Sequence, residues 1–419
     1  MRRWPEVPIR RVATLGTGHT PSRQHPEYWV NCTIPWLTLA DVGKLRDGTV
    51  MVVNETEEKI SLLGVANSSA VVHPAGTVAL SRTASVGFTC ILGVPMATSQ
   101  DFATWACGGQ LYPRFLLHAL RGNIGQIRER MTGSTHKTIY MPDIETLTVP
   151  LPPSLTQQRA IADYLDAQTA GIDALIAKKH RIVELLDERR GRALSSVTSC
   201  TVDQGLDLKA QLGWQPLRHV AQVRGGVTLG KSYDGPAVTV PYLRVANVQD
   251  GYLDLDDLAT LDLPLDVVRR HTLVDGDLLL LEGNGNPANL GRGTMWRGEA
   301  DPCVHQNHVH VVRADRSRVL PEYLALVARS EWARFWFSGG GSDAVGISTL
   351  SQDRIRQLRI PVPTLAEQAV VTQRVAQLLR IAAPVYGANL RQIELLIERR
   401  QALITAAVTG QLRIPGLAA

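Results

Sequence analysis

The segment ELLDERRGRAL (Glu184–Leu194) returns as ELLIERRQAL (Glu394–Leu403), half a chain length later in a sequence of 419 residues. A charged, leucine-bearing stretch written twice at that interval points to an internal duplication. Other segments recur in the same order. VPIRRVA (Val7–Ala13) matches QPLRHVA (Gln215–Ala221), and IPWLTLADV (Ile34–Val42) matches VPYLRVANV (Val240–Val248). An Asp-Gly turn follows each of the latter, at Asp47-Gly48 and Asp250-Gly251. HPAGTVALSR (His73–Arg82) matches LVDGDLLLLE (Leu273–Glu282), and YPRFLLHAL (Tyr112–Leu120) matches LPEYLALVA (Leu320–Ala328). LTVPLPPSLTQQ (Leu147–Gln158) matches LRIPVPTLAEQ (Leu358–Gln368), and the opening pair completes each half.

Each half has two parts. The first alternates short apolar runs with Gly, Pro, Asn and Asp. WLTLADV, TVALS, PYLRVANV and DLLLLE read as strands, and RFLLHALRG and EYLALVARS as short helices. The last part has few breakers. Ile161, Leu165, Ile172, Leu175, Ile182, Leu186 and Ala193 recur at helical, coiled-coil-like spacing. Val371, Val375, Leu378, Ala382, Ile393, Leu396, Leu403 and Ala407 do the same, with Pro384 and Gly387 predicting a kink or break. A helix of ~35 residues spans about 50 Å at ~1.5 Å per residue. The prolines of PLPP (Pro150–Pro153) and PVP (Pro361–Pro363) end the globular parts, and Thr156 and Thr364 are candidate N-caps.

The expected class is mixed α/β recognition domains carried on long helices that form an antiparallel coiled coil, with pseudo-twofold symmetry. The expected boundaries are a first globular domain at 1–153, a first helical region at 154–208, a second globular domain at 209–363, a second helical region at 364–412 and a tail at 413–419. In the repeated segment, Ile397 is expected to pack inside the helix pair or against a partner, and Asp187 to face solvent.

Composition sets the class of partner. Hydrophobic content of 44% and charged content of 20% are ordinary for a soluble globular chain. A basic start with no apolar run behind it is not a secretory signal, and no run approaches the ~20 apolar residues of a membrane span. Five scattered cysteines, Cys32, Cys90, Cys107, Cys200 and Cys303, without a CxxC pair, indicate a reducing, cytoplasmic setting. The net charge of +5, carried mostly by arginine, permits nucleic acid as a partner.

Two motifs need weighing. GGVTLGKS (Gly225–Ser232) fits a phosphate-binding pattern, but such a loop must open a helix, and YDGPAVTVP follows it. Both halves keep Gly18/Gly226, Thr20/Thr228 and Arg23/Lys231, a glycine turn with a hydroxyl and a cation that suits a DNA phosphate. HQNHVH (His305–His310) suggests a metal, yet His305 and His308 fall on opposite faces of a strand, and SQDFA (Ser99–Ala103) in the first half has no histidine. Glu57-Glu58-Lys59 reads as a solvated loop rather than half of a nuclease signature. No catalytic residue and no metal site is assigned.

A duplicated domain without evident chemistry, mounted on rods, implies binding at two places a fixed distance apart. Successive major-groove faces of duplex DNA recur every ~34 Å. The chain resembles the specificity subunits of type I restriction-modification systems. The likeness rests on the G-x-T-P-S turn (Gly18–Ser22), Tyr28-Trp29, IPWLTLADV, GTVALSR (Gly76–Arg82) with GDLLLLEG, PLPPSLTQQRAIADYLD, PVPTLAEQ and the closing ELL-x-ERR…AVTGQL. It implies two target recognition domains, each followed by a helical region that sets the spacer of a bipartite DNA site. It also implies docking of two methylation subunits and, through them, restriction subunits. S-adenosylmethionine, ATP and Mg belong to those partners, and this chain itself would hold no cofactor and catalyse nothing. Two other readings stay open, a nucleotide-binding or nuclease enzyme using Gly225–Ser232 and a coiled-coil scaffold with no role in DNA.

Base reading needs donors and acceptors on loops. The candidates in the first half are Thr20, Arg23, Lys44, Arg46, Arg82, Thr83, Arg128, Arg130, His136 and Lys137. In the second they are Thr228, Lys231, Arg244, Asn247, Glu282, Asn284, Asn286, Asn289 and Arg292, with GNGNPANLGRG (Gly283–Gly293) the richest loop. Candidates for coiled-coil pairing or partner docking are Ile161, Leu165, Ile172, Leu186, Arg189, Arg190, Val371, Leu378, Leu396, Ile397, Arg399 and Arg400.

Overall fold

The computed structural model describes residues 4–133, 137–199, 201–202, 206–207, 213–231, 233–283, 290–339 and 349–415. The chain divides into two compact units, Met1–Arg181 with Asn389–Ala419, and Ile182–Ala388.

In the first unit a five-stranded sheet runs in the order Ala13–Thr17, Phe102–Cys107, Val78–Ser81, Thr89–Leu92, Val52–Val53. A smaller sheet runs Glu58–Ile60, Ile34–Leu37, Met96–Thr98, Val72–His73. Val78–Ser81 is buried at every position, as expected of a central strand with no solvent face. The helix Pro113–Gly122 begins with proline at its first turn, where the missing N–H costs nothing, and buries Phe115, Leu116 and Leu120.

The second unit repeats the plan. Its larger sheet runs Ala221–Arg224, Val309–Ala314, Leu278–Leu281, Gly293–Met295, and its smaller one Ala259–Pro264, Ala237–Leu243, Val304–His305. Both smaller sheets contain the same parallel pair, Ile34–Leu37 with Met96–Thr98 and Ala237–Leu243 with Val304–His305. The duplication read in sequence is therefore a duplication of topology. The stretch read as one strand in WLTLADV ends at Leu37, and Leu39–Leu45 turns into a 3-10 helix, because Thr38 and Asp41 cap it reciprocally. Arg244 and Asn247 start the matching 3-10 helix Val245–Asn247.

Two long helices, Leu155–Ser199 and Leu365–Val408, contribute to both units. In the first unit Ile161, Leu165, Ile404, Ala407 and Val408 share a core with Phe115 and Leu120. In the second, Ala193, Leu194, Val197, Val371 and Val375 share one with Tyr323 and Phe337. Within each unit the helices run antiparallel, as Asp173 meeting Arg400 while Leu165 packs with Ile404 requires.

The entry to each helix is fixed by a buried glutamine. Gln158 accepts from Tyr112 N at 2.8 Å and donates to the carbonyls of Gln110 and Pro152. Gln368 accepts from Leu320 N at 2.8 Å and donates to those of Arg318 and Pro363. Thr364 caps its helix in a box with Glu367. In the first half the cap is Ser154, not Thr156, which is already the second residue of the helix. Ser154 Oγ accepts from Gln157 N.

Three expectations are corrected or narrowed. The second helix is continuous through Pro384 and Gly387, so of the expected kink or break the break is excluded. Proline removes one backbone donor there, but the bonds on either side hold the helix together. Leu175, Ile182 and Leu378 are exposed, because two paired helices bury only a narrow seam where no globular domain covers them. Ile397 is 46% exposed and so does not pack inside the helix pair, which leaves its other expected place, against a partner, while Leu186 and Leu396 are half-buried. Asp187 is exposed as expected, yet it pairs with the Tyr386 hydroxyl, whose pKa is raised by burial and then by that carboxylate.

The ERR ends are not equivalent. Arg189 and Arg399 are exposed. Arg190 and Arg400 turn inward, each to an Asp-Gly turn of the opposite half of the repeat. Arg190 meets Asp250, and Arg400 Nη1 donates to the Asp47 carbonyl at 2.7 Å.

Candidate nucleic-acid interface

The turn after the first strand of each globular domain is built by a close backbone crossing. A Cβ on Gly18 would lie 1.7 Å from the Thr98 carbonyl oxygen, and one on Gly226 would lie 2.1 Å from that of His305. His19 N and Val227 N donate to those same two carbonyls. The glycines shared by both halves therefore serve sheet packing rather than a phosphate cradle. The element after GGVTLGKS is the strand Ala237–Leu243, so among the described residues the loop does not open a helix.

That crossing launches a polar loop in each unit. In the first, Thr20 Oγ1 donates to Gln100, and Arg23 lies over the Trp29 ring with Cζ 4.6 Å from its centroid. In the second, Thr228 is exposed and Lys231 Nζ lies 5.4 Å from the Tyr233 centroid. Sequence reading missed both rings, though each lies within a few residues of its cation.

The other first-half candidates fall into two groups. Arg82, Thr83 and Lys137 come together at one corner, where Thr83 bridges Thr138 and its hydroxyl donates to Asp101. Arg46 and Arg128 line a cavity of about 270 Å³ with Arg121, Asp173 and Arg400. Burial lowers the Arg121 pKa to about 10, and Gly48 and Val50 carbonyls accept from its guanidinium. Lys44 is held by Glu57 at 2.6 Å and Asp41 at 3.6 Å, contacts that raise its pKa. Arg130 is spent on Gln126 and Thr146. His136 lies outside the described residues.

In the second unit Asn247 is buried and cannot read a base. Its amide accepts from Arg244 N and donates to the Asp254 and Asp257 carbonyls. Arg244 is ion-paired with Asp257 at 2.8 Å. Glu282 pairs with His308 at 2.6 Å, beside half-buried Arg292. Asn284, Asn286 and Asn289 lie outside the described residues.

The histidines are occupied within the fold. His305 is bonded to the Val309 carbonyl and His310 to that of Leu350, and burial lowers both pKa values. Among the described residues no three His, Cys, Asp or Glu side chains gather as metal ligands, and no helix is long and apolar enough to cross a membrane.

Comparison with known proteins bears on this arrangement. Residues 1–185 match the family described as type I restriction modification DNA specificity domain. The first 185 residues thus match that family's domain, and the chain as a whole is similar to type I restriction-modification specificity subunits. It is 23% identical over 306 residues to the type I restriction enzyme StySPI specificity subunit of Salmonella potsdam, covering 72% of this chain and 65% of the relative. It is 24% identical over 315 residues to the EcoKI specificity subunit of Escherichia coli strain K12, covering 72% and 66%. The aligned regions thus span about two thirds of those specificity subunits. Among solved structures, a chain from work on complex assembly and conformational transition of the type I R-M system aligns with a TM-score of 0.72 and 17% identity, over 98% of this chain and 99% of that one. The HsdS subunit from Thermoanaerobacter tengcongensis aligns at 0.50 and 16%, over 98% and 97%. At these identities the likeness establishes the fold, and it extends through both halves of this chain.

Proposed function

We propose that this chain is the DNA-reading subunit of a type I restriction-modification complex, in which each globular domain binds one half of a bipartite site. The reading is supported above all by one topology built twice with different polar loops leaving the same glycine crossing. A shared scaffold with divergent loops suits two half-sites of different sequence. The 45-residue and 44-residue helices act as the spacer and carry the docking surface for two methylation subunits and, through them, restriction subunits. The chain catalyses nothing itself. S-adenosylmethionine, ATP and Mg serve the partner subunits. In this reading residues 1–153 and 209–363 are the recognition domains.

The test is to map methylated bases in cells carrying a version whose residues 1–153 come from a relative. One half of the methylated site should change and the other remain. A change in both halves, or in neither, would refute the modular reading.

A further inference from the structure

The two units share an arrangement that likeness to the family does not assign. Arg23 and Lys231 occupy matching places after the glycine crossing, and each lies over an aromatic ring. The loops differ, PSRQHPEYW against LGKSY, and so do the rings. Each ring is seated on the apolar cluster of its smaller sheet. Trp29 packs against Trp36, Ile60 and Ala97, and Tyr233 against Val227, Val240 and Val304. Two different loop sequences therefore arrive at one cation, held in one place.

The first loop is pinned on both sides of its tip. Trp29 Nε1 donates to the Ser22 carbonyl at 3.2 Å, Ser61 Oγ to the Tyr28 carbonyl at 2.5 Å, and His25 stacks on Tyr28 at 4.8 Å. Arg23 itself remains available. Its side chain is 68% exposed, and its one ion pair among the described residues is a long contact to Glu58 at 3.7 Å.

We propose that Arg23 and Lys231 are base-reading residues, each directed to a guanine, one in each half of the DNA site. The proposal rests on the DNA-reading function above. Guanine presents O6 and N7 as adjacent acceptors in the major groove, matched by two N–H groups of a guanidinium or of an ammonium. A ring beneath the cation fixes its position, and under the planar Arg23 guanidinium it leaves the donor edge outward. A phosphate accepts from many directions and needs no such fixed plane. Pre-ordering also lowers the cost of immobilising a long side chain on binding.

The test uses the full chain in the cell that makes it. Methylated bases are mapped with the unaltered chain and with Arg23→Ala, Arg23→Lys and Lys231→Ala. Arg23→Ala should relax one guanine in one half-site, discrimination there falling about 10- to 100-fold. Lys231→Ala should relax one guanine in the other half only. Arg23→Lys keeps a cation with N–H donors for O6 and N7, as Lys231 has in the other half, so it should retain discrimination that Arg23→Ala loses. Unchanged sites in the alanine variants, or both acting in the same half, would overturn the proposal. If Arg23→Ala abolishes methylation, binding of the assembled complex to its own site is measured across salt concentrations. A base reader leaves the slope of log K against log salt unaltered, whereas a slope reduced by about 1 marks a phosphate contact and overturns the proposal. Methylation that does not depend on this chain at all would overturn the underlying function, and this assignment with it.

Discussion

Arg190 Nη2 lies 2.5 Å from Asp250 Oδ2, joining the last residue of the first ERR to the Asp-Gly turn of the second half. Arg329 and Arg334 also approach Asp250, at 3.1 and 3.2 Å. One carboxylate thus serves three guanidiniums. Arg190→Ala should cost about 1 kcal/mol, since both groups are partly exposed to solvent. Asp250→Ala leaves three cations without their shared anion and should cost about 2 kcal/mol. Urea unfolding of the two variants orders them, and an Asp250→Ala midpoint at or above that of Arg190→Ala would contradict the arrangement.

Gln158 and Gln368, both buried, each make three hydrogen bonds where helix meets globular domain. Replacing either by Leu strands a backbone N–H and two carbonyls, so each should cost about 2–4 kcal/mol. Gln157→Leu, one residue away in the first helix, is the control. Thermal unfolding with equal midpoints for Gln158→Leu and Gln157→Leu would show that the staple carries no weight.

Acid should weaken the second unit through His305. Burial holds its pKa at about 4, against 6.5 for an ordinary histidine. Between these values the unfolded chain carries a proton that the folded chain does not. Stability therefore falls as pH drops from about 6.5 to about 4, by up to about 3 kcal/mol from this residue, and is indifferent to it outside that window. His310 and His118, also lowered by burial, act in the same direction. Urea midpoints at pH 7 and pH 5 should converge in His305→Gln relative to the unaltered chain. An equal pH dependence in both would remove His305 as the cause.

Pro384 sits inside a continuous helix, where proline costs about 3 kcal/mol relative to alanine. Because it is exposed, Pro384→Ala should raise stability by about 2 kcal/mol without new packing. A lower melting temperature would mean that the helix depends on a bend at this residue.

Much of the architecture was legible because periodicity is local. Val78–Ser81, Leu278–Leu281, Pro113–Gly122 and both long helices lie where alternation or helical spacing puts them. Side-chain duties were less legible, because they depend on remote partners. Asn247 looks like a base reader in a polar stretch, but the Asp254 and Asp257 carbonyls consume its amide. Gly18 and Gly226 look like a phosphate turn, but Thr98 and His305 leave no room for a Cβ. Ile397 fits a helical stripe, yet the seam is too narrow to reach it. The nearness of Trp29 to Arg23 and of Tyr233 to Lys231 is legible in sequence, but the fold places each cation over its ring.

The first unit draws its core partly from Ile404, Ala407 and Val408, whereas the second is one uninterrupted segment, Ile182–Ala388. During synthesis the ribosome releases the first globular domain long before the helix that closes it. Until then the core that includes Ile161 and Leu165 lacks the side it shares with Ile404, Ala407 and Val408. The order of completion is thus the reverse of the order of translation, and the earliest-made domain is the one most in need of protection from aggregation until Leu403–Val408 has been made.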